Sequence, residues 1–564
     1  MKRLHGHLIV LVGLALGCAT TRVPARYDAV IRNGLIYDGS GSAPRRGDVA
    51  ITGDTIAAVG DIGSARGSIE IDAHGRAVAP GFINMLSWAN ESLIIDGRSQ
   101  ADIHQGVTLE VFGEGWSMGP LTEPMKRESR EQQTDFKYDI EWTTLGEYLE
   151  YLVRRGISPN VASFVGAATV RIHELGYENR APSAAELERM KDLVRQAMRE
   201  GALGVGSALI YAPATYAGTP ELIELSKAAA ESGGMYISHM RSEGNHLLEG
   251  IDELISIARE AGVAAEIYHF KAAGEANWPK MDAAIKKVND ARAAGLNISA
   301  NMYTYPAGGT SLDAMIPPWA HEGGLKKMKE RLQDPALRQR IVAEMRTPAE
   351  TWENLGLLAG SPDRIILAAF GSNALKPLTG KSLGEVARMR GKSPEDTAVD
   401  LVIEDDVAPG AIFFLMSEEN IRKGIAQPWV SFGSDEGSPA PEGVFLKSNP
   451  HPRAYGNVAR LLRKYVREGK VIPLQEAVRR LTSLPAKHLK IDRRGLLQPG
   501  YFADVVVFDP DSVGDHATFE NPHQYSTGVS DVFVNGVQVL RDGEHTGAKP
   551  GRVVRGPGYA KTSS

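Results

Sequence analysis

Two stretches decide the reading of this chain: Tyr236-Ile237-Ser238-His239-Met240-Arg241 and Glu266-Ile267-Tyr268-His269-Phe270-Lys271. Each closes an apolar run with a histidine. The histidines stand 30 residues apart, about one strand-helix-strand repeat, and Ser434-Asp435 closes a third such run. Imidazoles and a carboxylate at the ends of parallel strands make a metal-site pattern.

Outward from these stretches, apolar runs alternate with amphipathic helices. The runs are Val78–Asn84, Val107–Gly113, Val161–Val165, Leu203–Ser207, Met235–His239, Ala264–His269, Ile298–Tyr303 and Trp429–Ser434. Between them, Ser183 with Glu186 forms a capping box for a helix reaching Gly201, with Leu187, Met190, Val194 and Met198 on one face. Thr219-Pro220 opens another helix, closed by Gly233-Gly234. Eight strands alternating with helices predict an α/β chain built as a (β/α)₈ barrel over 77–486. The spacing breaks between strands seven and eight, which predicts an inserted subdomain at about 307–425 that caps the barrel mouth. The polar stretch Lys126–Glu141 reads as a solvated excursion. Both chain ends have a different style, short alternating strands with Asn33-Gly34 and Asn535-Gly536 as hairpin signals. They predict one small β-sandwich assembled from 27–76 and 487–564.

The first 18 residues read as an export signal: Lys2 and Arg3, an apolar run from Leu8 to Leu16, then Gly17-Cys18. The run is too short to span a bilayer. Cys18 is the only cysteine, and its place resembles a lipoprotein cleavage site, with residues 19–26 as a tether. The expectation is an exported protein, held on the periplasmic side of a bacterial membrane by a lipid anchor alone, or, if Cys18 is a chance cysteine in a simple secretory signal, periplasmic or secreted. No disulfide is available to staple the fold. A net charge of −6 and the lack of any Lys/Arg-rich run exclude a nucleic-acid footprint.

In such barrels the chemistry sits at the carboxyl ends of the strands, where His239, His269 and Asp435 fall. Neutral imidazoles suit zinc, and a carboxylate beside the metal takes a proton from a water that the metal acidifies. Glu114, between two glycines after strand two, is the third candidate ligand; its bland reading is a loop salt bridge. Lys271, Arg241, Tyr211, Tyr305 and Arg453 are candidates for holding an anionic small-molecule substrate. Glu110, inside the barrel wall, needs a partner.

At these residues the chain resembles the D-aminoacylase (N-acyl-D-amino-acid deacylase) family of the amidohydrolase superfamily. The resemblance rests on Pro80-Gly-Phe-Ile83, Asn179-Arg-Ala-Pro-Ser183, Leu209-Ile-Tyr-Ala-Pro213, Ser238-His-Met-Arg-Ser-Glu243, His269-Phe-Lys271, Gly433-Ser-Asp435, His451-Pro-Arg453, and the tail from Leu484-Pro-Ala486 to Ala503-Asp504. It implies a β-sandwich with a metal-dependent barrel that hydrolyses the amide of an N-acyl-D-amino acid. It also implies zinc on His239 and His269, with Asp435 as general acid/base. The family's strand-one Asp and His-x-His are here Asn84, Leu86 and Trp88, and its cysteine ligand after strand two is replaced by Glu114 or Gly115. One zinc per chain on His239, His269 and Glu114 is therefore expected, with Trp88 filling part of the site. Two other readings follow from the same residues. One is a hydrolase of cyclic amides or D-peptides; the other is an inactive ligand-binding lipoprotein, which the missing strand-one pair would suit.

Overall fold

The computed structural model describes residues 26–559, so the expected signal segment with Cys18, and all of the tether but Arg26, lie outside the described residues. Eight parallel strands close on themselves: Phe82–Asn84, Val107–Phe112, Asn160–Ser163, Gly204–Ala208, Met235–His239, Ala265–Ile267, Ile298–Met302 and Val430–Phe432. The third strand is shared. Asn160–Ser163 pairs with strand two, and its continuation Val165–Gly166 pairs with strand four. Closure between strands eight and one comes from Met85 N–H donating to the Phe432 carbonyl (3.1 Å) and Asp435 N–H to that of Leu86 (2.8 Å). This is the (β/α)₈ barrel. Its strands are buried throughout, as parallel strands covered by helices must be.

The helices follow local rules. Ala184–Arg199 starts at the Ser183 capping box, in which Ser183 N–H donates to Glu186 Oε2 at 2.7 Å, and it buries Met190, Val194 and Met198 against the barrel.

Strands from both chain ends join one nine-stranded sheet that forms the small β-sandwich. Val505–Phe508 is its key: Val505 and Val507 enter a core with Ile31, Ile51 and Phe533, whereas Val506 and Phe508 face the barrel, where Phe508 meets Phe82 edge-on at 5.9 Å. A strand buried on both faces reads as an unbroken apolar run, which explains Val-Val-Val-Phe. The run Val78–Asn84 splits in two. Ala77–Pro80 pairs with Val505–Phe508 in this sheet, and only Phe82–Asn84 belongs to the barrel. The Asn33-Gly34 hairpin also requires correction. Arg26–Ile36 is one strand with a bulge there, because only Asn33 takes a positive φ (56°) and its N–H is tied to Asp48 Oδ1 at 2.9 Å. A tight hairpin needs both residues in that region, as at Asn535 (48°) and Gly536 (80°), where Val529–Val534 does turn back into Val537–Arg541.

Between strands seven and eight, Ala307–Ser311, Gly410–Phe414 and Ile365–Ala369 form an antiparallel sheet. The flanking helices Gly324–Gln333, Pro335–Met345, Leu383–Arg390 and Pro394–Glu404 close a separate apolar core around Leu312, Met328, Ile341, Leu367, Val399 and Phe413. Gly308–Ser311, Ala368 and Gly410–Phe413 lie over the barrel mouth and wall its cavity.

Candidate active site

The cavity at the carboxyl end of the barrel measures about 450 Å³ and is walled by barrel loops and by the insertion. His239 ends strand five. His269 follows strand six and Asp435 follows strand eight, both in left-handed backbone (φ 36° and 54°). That conformation is costly for residues with side chains, roughly 1–3 kcal/mol each. It turns each side chain off its strand and into the mouth, and at His269 the side-chain Oδ1 of Asn301 accepts from the backbone N–H at 3.0 Å.

Glu114, His239 and His269 converge. Oε1 of Glu114 lies 3.1 Å from His239 Nδ1 and 2.7 Å from His269 Nε2, and all three residues are buried. One ligand atom from each falls within 4.8 Å of the others. Glu243 stands on their outward side, its carboxylate 2.8 Å from His269 Nδ1 and 3.4 Å from His239 Nε2 without an aligned hydrogen bond, and Lys271 Nζ lies 2.9 Å from His269 Nδ1. Each imidazole therefore presents one nitrogen to the common centre and keeps a carboxylate near the other, where a small shift would make the hydrogen bond that orients histidine ligands. Two nitrogens and one carboxylate oxygen fit a catalytic zinc, which takes three protein ligands and keeps an open position.

Asp435 stands beside this cluster. Trp88 Nε1–H donates to Glu114 Oε2 (2.9 Å) and to Asp435 Oδ1 (3.2 Å), and Arg453 Nη1 lies 2.8 Å from Asp435 Oδ2. The Arg453 guanidinium covers the Tyr303 ring at 4.4 Å, and its Nε and Nη1 are buried with no aligned acceptor. Lys271 Nζ sits 2.5 Å from Glu243 Oε2 and reaches the same cavity. Burial would raise the Glu114 carboxyl, but His269 and His239 pull it well below the usual range. Burial pushes Asp435 above its ordinary value in spite of Arg453, as suits a group that must take up and release a proton.

Tyr211 lines the cavity, edge-on to His239 at 5.4 Å. Two expected substrate contacts do not. Arg241 turns outward, spanning Glu253 through Nε and Nη2 at 2.9 Å each and the carbonyls of Thr215 and Ala217. Its charge and donors are already committed. Tyr305 packs behind the wall, edge-on to His451 at 5.3 Å with Arg460 over its ring at 4.6 Å. Sequence reasoning missed Glu243, Tyr303, His451 and Glu436, which all line the cavity. Glu243 sits four residues after His239, but in a loop that spacing carries no directional meaning. The strand-one substitutions are also explained. Leu86 is packed in the barrel core, while Asn84 accepts from Ser434 N–H at 2.8 Å and donates to Glu110 at 3.2 Å. Asn84 and Ser99 thus supply the partners that Glu110 needs.

Comparison with known proteins identifies the family. The profile described as the amidohydrolase family matches residues 70–540. A D-aminoacylase of Alcaligenes xylosoxydans xylosoxydans is 32% identical, with 94% of this chain and 97% of the relative covered. An N-acyl-D-aspartate deacylase of the same organism is 32% identical over 95% and 96%. A crystal structure of N-acyl-D-glutamate deacylase from Bordetella bronchiseptica, complexed with zinc and a phosphonate mimic of the tetrahedral intermediate, superposes with a TM-score of 0.77 at 30% identity, covering 94% of this chain and 100% of that one. The chain belongs to the amidohydrolase family, within its D-aminoacylase group.

Proposed function

We propose that this protein is a zinc-dependent amide hydrolase that deacylates N-acyl-D-amino acids. The observation that carries the reading is the convergence of Glu114, His239 and His269 beside Asp435 in one cavity. These are the residues that would hold the zinc, which when bound acidifies a water and polarises a carbonyl. Asp435 takes the proton of the attacking water and delivers it to the leaving amine. Arg453, with buried N–H groups lacking aligned acceptors, and Lys271 are placed for the substrate carboxylate. Tyr303 supports both cations from below (4.4 and 5.7 Å).

The test is amine release from paired N-acyl-D- and N-acyl-L-amino acids by zinc-loaded protein. D-selective release that a chelator abolishes and zinc restores supports the reading. No release from any D-substrate by protein of full zinc content defeats it.

We infer also that the protein is exported and lipid-anchored, supported by Lys2-Arg3, the apolar run and Cys18. Membrane fractionation of wild type and Cys18→Ser tests this; the variant should leave the membrane fraction, and unchanged partitioning would refute lipidation. Among the described residues no helix is long and apolar enough to cross a membrane.

A further inference from the structure

A second cavity, of about 370 Å³, adjoins the active site on the side of the loops after strands one and two. Its position follows from two tryptophans that wall both spaces, Trp88 and Trp116. Trp88 is held by its N–H edge on Glu114 and Asp435, so its ring is fixed as a partition with one edge at the reacting centre. It is nonetheless 37% exposed, a large apolar surface left uncovered at the opening between the chambers. Trp116 forms the other jamb, tilted against Tyr211 at 5.9 Å.

Behind the tryptophans one part of the lining is a continuous apolar group. Met118, Leu121, Met125 and Ile172 line it together with Trp142, which stacks on Tyr138 at 6.2 Å. Methionines suit a flexible apolar guest because they adapt their shape without exposing polar atoms. Polar groups line the rest: Glu128, Ser129 and Gln132 come from the exposed helix Glu123–Gln132, and Asn90, Glu91, Ser117 and Thr169 from the loops and helix at the barrel side. The only described cations lining the active-site cavity are Lys271 and Arg453, and none lines the second chamber.

Asp435 separates two directions. Its Oδ2 faces Arg453 and its Oδ1 faces Trp88. In an N-acyl amino acid the carboxylate and the acyl group lie on opposite sides of the C–N bond that breaks. A substrate with its carboxylate toward Arg453 therefore sends its acyl group toward Trp88 and Trp116.

We infer that the chamber behind Trp88 and Trp116 is a subsite for an extended apolar acyl chain, so that the preferred substrates carry medium- or long-chain acyl groups rather than acetyl. The inference rests on the deacylase reading for the position of the amide. An acyl chain of several methylenes would remove the exposed Trp88 face from water and fill a space of ordinary ligand-pocket size.

The experiment compares N-acetyl-D-leucine with N-octanoyl-D-leucine. Binding is measured by calorimetry on zinc-loaded Asp435→Asn protein, and amine release on the zinc-loaded wild type. The octanoyl compound should bind at least about tenfold more tightly, well within what its added methylenes supply on burial. Met125→Asp and, independently, Ile172→Asp should abolish that gain while leaving acetyl-compound binding unchanged, because neither residue lines the active-site cavity. Equal affinity for the two compounds, or a gain that survives both substitutions, overturns the subsite. Tighter octanoyl binding without amine release from either compound would keep the subsite and defeat the deacylase reading instead.

Discussion

Glu353, carried by the insertion, accepts a hydrogen bond from the backbone N–H of Glu243 at 2.8 Å. The same oxygen accepts from Gly244 N–H at 2.9 Å and from Ser242 Oγ at 2.6 Å. One carboxylate of the capping subdomain thus fixes the loop whose Glu243 stands beside both imidazoles.

Removing that hold should be felt at the metal. Glu353→Ala leaves two backbone donors and a hydroxyl without their acceptor, costing about 1–3 kcal/mol of stability. It should also weaken zinc binding by about tenfold or more, the usual cost of losing support behind a histidine ligand. Chelator competition and thermal unfolding read the two effects, and Glu353→Gln should recover part of both. Unchanged zinc affinity in the alanine variant would separate the insertion from the metal site.

Asp435→Asn keeps the shape of the side chain and removes its capacity to take a proton. Turnover should fall by about 10² to 10⁴, while zinc content stays at the wild-type level because the three converging donors are untouched. A near-normal rate would show that another group moves the proton.

Arg241→Ala should leave KM within about twofold, since the side chain is spent on Glu253 and two carbonyls outside the cavity. The loss of a partly exposed ion pair should cost on the order of 1 kcal/mol, read in urea unfolding. A large rise in KM with unchanged stability would put Arg241 back among the substrate contacts.

A pH dependence follows from Glu266, buried within the barrel with Ser299 Oγ and Asn301 Nδ2 donating to it at 2.7 and 2.8 Å. Burial raises its carboxyl to about 7 in spite of these bonds. The unfolded chain releases that proton near pH 4.3, so the folded state is favoured by this group below that value and loses the advantage as pH climbs through 7. Relative to Glu266→Gln, the wild type should lose up to about 3 kcal/mol between pH 4 and 8. Parallel stability curves for the two proteins would contradict this.

The parts legible in the sequence are those where type and position coincide. His239 and His269 end apolar runs, and in a barrel the end of a strand is also the mouth. Asp435 was readable for the same reason. Arg241 was misplaced because its position relative to the strand says nothing about Glu253, which returns from the next helix to claim it. Tyr305 lies two residues beyond Tyr303, and only packing decides which of them faces the cavity. Glu243 escaped notice because its role depends on the path of a loop pinned from the insertion. The apolar run Val78–Asn84 concealed a change of sheet at Pro80-Gly81, since both partners demand buried residues.

Val505–Phe508 lies hydrogen-bonded alongside Ala77–Pro80, the strand that leads into the barrel. On a ribosome adding about 10 residues per second, the earlier strand waits on the order of 40 seconds for its neighbour. During that interval its backbone edge and the barrel-facing side chains beside it have no cover. Newborn chains should therefore depend on chaperones until the last segment emerges, and truncation from the carboxyl side should yield aggregates rather than a smaller working enzyme.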